Sequence, residues 1–222
     1  MPQTLKYIPW LVMTFFASFL FVITARYLSF ESDINFLLVK QDIVFDTVWR
    51  PTFYLHVISG MLVILIGPFQ LLKKFRNKYL NLHRKLGKIY AYGILLVAAP
   101  TGFIMAFYAE GGYWSTVSFI IMSVLWFYTT LMAVIKVKNK EIIEHKKWMY
   151  RSYALSFAAV TLRLLVPLMS LPVISKYLGS TPDERDYVII VATAWLSWII
   201  NLVFVELLIA KTFGAKNSLQ KS

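Results

Sequence analysis

The chain has 222 residues, of which 59% are hydrophobic and only 15% are charged, and its formal net charge is +12. Because soluble domains carry about a quarter charged residues, this composition excludes an ordinary soluble protein, and the length suits one helical bundle without a second domain. The chain has no cysteine, which excludes disulfides, thiolate metal sites, iron–sulfur clusters and cysteine nucleophiles.

Six apolar segments follow one another along the chain, and each is about 20 residues long. A helix of that length crosses about 30 Å of hydrocarbon, where no water satisfies backbone polar groups, so each segment must be helical. The sequence therefore predicts an all-α polytopic membrane helix bundle with six transmembrane helices, forming a single transmembrane domain over residues 1–222. The predicted spans are 9–28, 51–72, 89–109, 113–135, 154–172 and 187–210.

Charge alternates sharply between the connections that separate these spans. Residues 73–88 hold seven Lys or Arg and no acid, whereas most acids lie in the connections after the first, third and fifth spans. This is the positive-inside pattern, which predicts that both termini are cytoplasmic and that the protein crosses the cell membrane several times. The distribution makes the lipid bilayer the expected partner of the basic residues and argues against nucleic acid.

The longest connection, residues 29–50, carries apolar residues at roughly helical spacing with acids between them. Its apolar residues include Ile34, Leu37, Leu38 and Phe45. Two interpretations fit this pattern: a short amphipathic helix on the outer surface, or an ordered loop.

Three histidines are the main candidates for chemistry, and each lies near the start of a span. His56 is followed by Gly60, and His83 by Gly87, so a glycine lies one helical turn from each of these imidazoles. A glycine there leaves space for a flat ligand such as haem b, or for a closely packed helix. Haem needs an axial imidazole and space for its macrocycle, whereas glycine on membrane helices more often serves packing alone.

Depth separates the histidines into two levels. His56 is predicted near the outer face, and His83 and His145 near the inner face, about 25 Å away along the helices. A single site with three histidine ligands is therefore excluded, whereas His83 and His145 can meet as a pair that binds haem or a metal ion. The alternative is that both are interfacial histidines among snorkelling lysines and arginines.

The histidines belong to a longer motif that runs from about residue 51 to residue 167. It comprises His56-x-x-x-Gly60, Gly67-Pro68-x-Gln70, His83-Arg84-x-x-Gly87-x-x-Tyr90, His145-x-x-Trp148-Met149-x-Arg151-Ser152-Tyr153 and Arg163. This combination resembles domain of unknown function 2306, a family of predicted membrane proteins without an assigned activity. Its helix-borne histidines resemble those of b-type membrane cytochromes, where alternate helices of a four-helix core supply paired axial ligands. The resemblance implies that His83 and His145 bracket one haem, whereas His56 has no matching histidine on the fourth span.

Arg163 lies well inside the apolar part of the fifth span, between leucines. An arginine there is costly unless it faces the bundle interior and finds polar partners. Its helical face is shared with Ser152 and Ser156, and this predicts a polar pocket with His56. Such a pocket would bind an anionic group: a haem propionate, a substrate carboxylate or a lipid phosphate. The alternative is that Arg163 snorkels outward or bonds to backbone carbonyls that Pro167 frees.

Three function classes remain. The first is a haem-binding membrane redox protein that passes electrons between a quinone and another acceptor, with another membrane redox protein as its partner. The second is a small transporter or a lipid- or anion-handling protein that uses Arg163 and His56, and the third is a non-catalytic membrane partner protein. The spans lack the side-chain arrangements of hydrolases, and no phosphate-binding glycine loop is present. The polar residues favour the redox class, and whether the protein is an enzyme stays open.

Overall fold

Six long apolar helices dominate the computed structural model, which describes residues 7–214. Each helix has the length and composition needed to cross a membrane, and no strand occurs among the residues described. The prediction of an all-α protein with six membrane-spanning helices is therefore confirmed, and the chain is a multi-pass membrane protein. The spans are Ile8–Ser29, Trp49–Leu71, Leu80–Ala106, Gly112–Lys138, Ile142–Met169 and Pro182–Phe213.

The helices fall into two compact units, one ending at Tyr108 and the other beginning at Ala109. The first unit contains the first three spans. Its helices are α1 (Ile8–Ala25), α2 (Trp49–Leu71), α3 (Lys73–Lys78), α4 (Leu80–Gly93) and α5 (Ala99–Ala106). A π-helical turn at Ile94–Ala98 joins α4 to α5, so that the three elements together form the third span.

The second and third spans pack side by side in opposite directions. Three contacts along their length join Gln70 to Gly87, Val63 to Gly93 and His56 to Ala98. Residue numbers rise along the third span as they fall along the second, which is the register of an antiparallel helix pair. This pairing brings residues of the second span that lie two helical turns apart against small residues of the third.

Residues 30–48 fold over one end of the first unit. They form a 3₁₀ helix at Asn35–Lys40 and several turns rather than one continuous amphipathic α-helix. Phe30 and Asn35 have φ angles of 59° and 48°, and this left-handed backbone interrupts a helix. Leu37 and Val44 of the segment turn inward, whereas Phe36, Leu38 and Phe45 stay exposed. The buried cluster that results consists of Tyr27, Leu37, Val44, Trp49, Phe53 and Tyr54.

The second unit contains the last three spans. Its helices are α6 (Gly112–Lys138), α7 (Ile142–Ser156), α8 (Ala158–Met169), α9 (Pro172–Ser175) and α10 (Pro182–Ile209). The fifth span consists of α7 and α8, which meet at Phe157. A capping box starts α10, because the Thr181 hydroxyl accepts the N–H of Glu184 while the Glu184 carboxylate accepts the N–H of Thr181.

The third and fifth spans begin earlier than the apolar segments predict, at Leu80 and at Ile142. The additional turns are rich in Lys and Arg, so hydropathy alone misses them although they continue the helices. A helix of 27 residues, such as the third span, is about 40 Å long, which is about 10 Å longer than the hydrocarbon requires. His83 and His145 lie on these early turns.

Candidate functional site

His56 is held in place by a backbone carbonyl of the neighbouring span. Its Nδ1 atom lies 2.9 Å from the carbonyl oxygen of Ala98, and the ring is half-buried. Because a carbonyl oxygen only accepts hydrogen bonds, Nδ1 carries the proton, and Nε2 carries the lone pair of the neutral ring. Histidines that bind metals through Nε2 are commonly oriented by this kind of hydrogen bond.

The π-helical turn shapes the backbone around the Ala98 carbonyl. The N–H of Ala99 bonds to a carbonyl five residues back, and Pro100 contributes no N–H at all. The Thr101 hydroxyl donates to the Ala98 carbonyl at 3.2 Å and lies 3.4 Å from Nδ1 of His56. Single π turns within α-helices frequently mark functional sites, because they redirect one side chain or carbonyl out of the regular ladder.

Gly60 lies one helical turn after His56 and borders open space. A Cβ added at Gly60 would meet no atom within 4 Å. The position of a Gly60 side chain therefore borders open space, and contact of this glycine with a flat ligand stays a prediction.

Gly87 lies one helical turn after His83, and the space at this glycine is already filled. A Cβ added at Gly87 would lie 3.1 Å from Oε1 of Gln70, which is tighter than an ordinary van der Waals contact. Gln70 is buried, and its Nε2 has no hydrogen-bond partner among residues 7–214. Gly87 thus makes room for a carboxamide of the second span, and its contact with a cofactor stays a prediction.

His83 lies at a different level from His56 within the first unit. It is half-buried on the first turn of α4, and its backbone N–H bonds to the Tyr79 carbonyl at 2.9 Å. Ala98, which accepts from His56, lies 15 residues further along the same span, a separation of about 22 Å along the helix. No single metal ion or haem iron in the first unit can therefore bind both rings.

His145 repeats in the second unit the arrangement found at His56. Its Nδ1 atom lies 2.8 Å from the carbonyl oxygen of Ala133 on α6. By the same reasoning Nδ1 carries the proton and Nε2 carries the lone pair. Two of the three histidines are therefore oriented in the same way, each by an alanine carbonyl of the adjacent helix.

Buried polar pairs continue from His145 along the contact between α6 and α7. The hydroxyls of Thr130 and Ser152 lie 2.7 Å apart, and the indole Nε1 of Trp126 donates to Ser156 at 3.0 Å. Satisfied pairs of this kind fix the register of two packed helices in lipid, where an unpaired hydroxyl is costly. The orientation of the His145 ring thus rests on a defined helix pair.

Arg163 is exposed on α8 and bonds to its own helix. Its Nη1 donates to the carbonyl oxygen of Ala159, one turn earlier, at 3.0 Å. The acceptor is not a carbonyl that Pro167 frees, because Pro167 lies four residues after Arg163 rather than after Ala159. Since Arg163 and His56 belong to different units, their predicted pocket stays a prediction.

Two residues of α10, Glu206 and Asn201, form polar contacts with the fifth span, and the sequence does not identify their partners. Arg151 donates to Glu206 through Nε and Nη2, the latter at 2.9 Å from Oε2. Asn201 donates to the Ala154 carbonyl at 3.1 Å and accepts from Thr161 at 3.0 Å. The sequence shows only that these residues are polar within apolar helices, which does not identify their partners.

The candidate ligands do not form a compact metal cluster. Within residues 7–214 no three His, Asp or Glu side chains are grouped closely enough to hold a metal ion. The structure brings His56 to Ala98 and Gly60 in the first unit, and His145 to Ala133 in the second. The predicted pairing of His83 with His145 as haem or metal ligands joins residues of different units and stays a prediction.

The sequence matches the model of a known protein family. A family model described as "Predicted membrane protein (DUF2306)" matches residues 53–209, a range that includes all three histidines and Arg163. No curated protein matches the chain, and no solved structure matches it.

Proposed function

The chain belongs to the DUF2306 family of predicted membrane proteins, and we propose that it binds haem b in the cell membrane and transfers electrons. The observation that carries this proposal is the shared orientation of His56 and His145. In each ring Nδ1 donates to a backbone carbonyl of the adjacent helix, at 2.9 Å and 2.8 Å, which leaves the lone pair on Nε2. An imidazole ring is the axial ligand that many haem proteins use.

Space for a planar macrocycle is the second requirement, and the glycine one helical turn after His56 supports it. Gly60 presents no side chain there, and the position of its absent Cβ has no atom within 4 Å. A larger residue would stand over the face on which a flat ligand would lie. The opening at Gly60 thus supports a flat ligand near His56, and the carbonyl-bound ring of His145 supports its role as an axial ligand.

The chain's own residues hold and orient the ligand. Ala98 and Ala133 fix the two imidazole rings through their carbonyls, and His83 is proposed as the second axial ligand beside His145. When bound, haem supplies one-electron chemistry at its iron. A quinone or another membrane redox protein is the proposed electron partner, because both are available within the bilayer.

An absorption spectrum of protein purified from haem-replete cells tests this proposal. We expect a Soret band that His145→Ala removes and that His56→Ala or His83→Ala reduces. Matched controls are Ile143→Ala and Leu55→Ala, which change exposed neighbours of His145 and His56 and should leave the band unchanged. A colourless protein, or a Soret band that survives all three histidine variants, would contradict the proposal.

Anion handling at Arg163 is the second candidate function. It is supported by the exposed position of a guanidinium within a membrane-spanning helix, where an anionic group can reach it. We expect oleate, a fatty-acid carboxylate, to raise the unfolding temperature of the purified protein. Arg163→Leu should remove that shift and Arg163→Lys should keep part of it, whereas Leu164→Ala, an exposed neighbour, should keep all of it. An equal shift in all variants would remove this candidate.

A further inference from the structure

The two basic connections of the chain differ in how their cations are neutralised. In the second unit, the connection between α6 and α7 supplies its own acids. Lys136 lies 2.9 Å from Glu141, and Lys147 lies 2.7 Å from Glu144. Two of the six basic residues between 136 and 151 are therefore neutralised by acids of the same segment.

The basic segment 73–88, which consists of α3 and the first turns of α4, has no such balance. Its seven basic residues have no acid between them in the sequence, and none forms an ion pair with a residue in the range 7–214. All of them except the half-buried Arg76 are exposed. They are Lys73, Lys74, Arg76, Lys78, Arg84, Lys85 and Lys88. We name this set the α3–α4 basic surface.

The α3–α4 basic surface lies at the boundary of the membrane. The second span ends at Leu71 and the third begins at Leu80, and the two run antiparallel. The six residues of α3 therefore connect their ends at the level where hydrocarbon gives way to headgroups. The first turns of α4 lie at the same level, because the third span is longer than the hydrocarbon requires.

Apolar side chains are interleaved with these cations. Phe75 on α3 packs between Phe69 and Tyr79, with ring centroids 5.6 Å and 5.7 Å away. Tyr79 and Leu82 are exposed, although both are large and apolar. Exposed aromatic and aliphatic groups beside unpaired cations are typical of a surface that lies in the interfacial layer of a bilayer.

We propose that the α3–α4 basic surface binds the headgroups of anionic phospholipids in the leaflet that it faces. Phosphate groups supply the negative charge that the protein does not, and Arg84 and Arg76 offer bidentate donors to them. The positive-inside rule accounts for basic residues in both connections, but it gives no reason why one set is paired and the other is not. This inference does not depend on haem binding.

Lipid binding to the purified full-length protein tests the proposal. We would measure retention of phosphatidylglycerol and phosphatidylcholine by native mass spectrometry, in a neutral detergent and at two salt concentrations. The wild type should retain more phosphatidylglycerol than phosphatidylcholine. Higher salt should reduce this difference, because salt screens exposed charges. Lys74→Gln combined with Lys78→Gln should weaken phosphatidylglycerol retention about tenfold.

The matched control removes the same number of cations from the other connection. Lys136→Gln combined with Lys147→Gln should change the retention less than about twofold, since both lysines are already paired with acids. An equal loss in both double variants, or no lipid preference in the wild type at either salt concentration, would overturn the proposal. Displacement of the lipid by millimolar inorganic phosphate would also overturn it, by assigning the surface to free anions.

Discussion

The Nδ1 atom of His56 and the carbonyl oxygen of Ala98 lie 2.9 Å apart, and this hydrogen bond joins the second span to the π-helical turn of the third. The bond fixes the tautomer of His56, and its acceptor lies at the end of the π-helical turn, where the regular helical ladder is interrupted. This histidine can therefore have both a structural role and a ligand role. Each role predicts the result of a different measurement.

His56→Phe tests the structural role. The substitution keeps an aromatic ring but removes the donor, so the Ala98 carbonyl loses its shortest side-chain partner in the first unit. We expect a loss of about 1–2 kcal/mol in the free energy of unfolding, measured in detergent with or without haem. Leu55→Phe, at an exposed neighbouring position, should change stability far less. Equal stability of wild type and His56→Phe would show that the bond contributes nothing to the fold.

Gly87 and Gln70 provide a second test, because the side chain of Gln70 limits the size of the residue that fits at position 87. A methyl group at Gly87 would lie 3.1 Å from Oε1 of Gln70, so we expect Gly87→Ala to destabilise the protein by about 1–3 kcal/mol. The double variant Gly87→Ala with Gln70→Ala should recover most of that loss, since the carboxamide is gone. A thermodynamic cycle from the four unfolding free energies measures the coupling.

Gly60→Ala is the control for that cycle. Gly60 is also helical, but a Cβ there meets no atom, so this substitution should raise stability by up to about 1 kcal/mol. Destabilisation by Gly60→Ala as large as by Gly87→Ala would contradict the assignment of Gly87 as a packing position.

The orientation of the chain in the membrane is a third prediction. The charge asymmetry between connections predicts cytoplasmic termini, so reporter fusions after Lys78 and Asn139 should be cytoplasmic. A fusion after Asp183 should be external. A cytoplasmic reporter at Asp183 would overturn the predicted orientation while leaving the six helices in place.

The six spans could be predicted from the sequence because lipid leaves the backbone few choices. Every peptide group in hydrocarbon must bond within its own segment, so a long apolar run is sufficient evidence for a helix. A long apolar run does not reveal the part of a helix that extends beyond the hydrocarbon. The basic turns before 89 and before 154 are helical and carry His83 and His145, but their hydropathy resembles that of a loop.

The candidate site could be predicted only in part, because its partners are backbone atoms and distant side chains. The sequence identifies His56 and His145 as unusual polar residues, yet their acceptors are carbonyls of alanines, which carry no distinguishing signal. The pattern His-x-x-x-Gly is the same at Gly60 and Gly87. Only the packing of the second span against the third shows that one of these glycines borders open space and the other borders Gln70.

The start of the second span provides a pH-dependent prediction. The carboxylate of Asp46 accepts the backbone N–H groups of Trp49 and Val48 at 2.7 Å and 2.8 Å, and these bonds hold the pKa of that carboxyl below its usual value. A carboxyl whose pKa is lower in the folded protein than in the unfolded chain stabilises the fold while it is ionised. That contribution is complete above the usual pKa of about 4 and is lost as the pH falls through the lowered folded value.

Asp46→Ala should therefore lower the unfolding temperature at neutral pH, and the difference from wild type should shrink once the pH falls below about 4. Unfolding temperatures of both proteins, measured in the same detergent from about pH 7 down to the acid limit of solubility, check this dependence. Asp42→Ala is the matched control, because Asp42 is an exposed carboxyl in the same segment whose side chain makes no hydrogen bond within residues 7–214. A difference between wild type and Asp46→Ala that stays constant with pH would show that the carboxylate does not cap the second span through its charge.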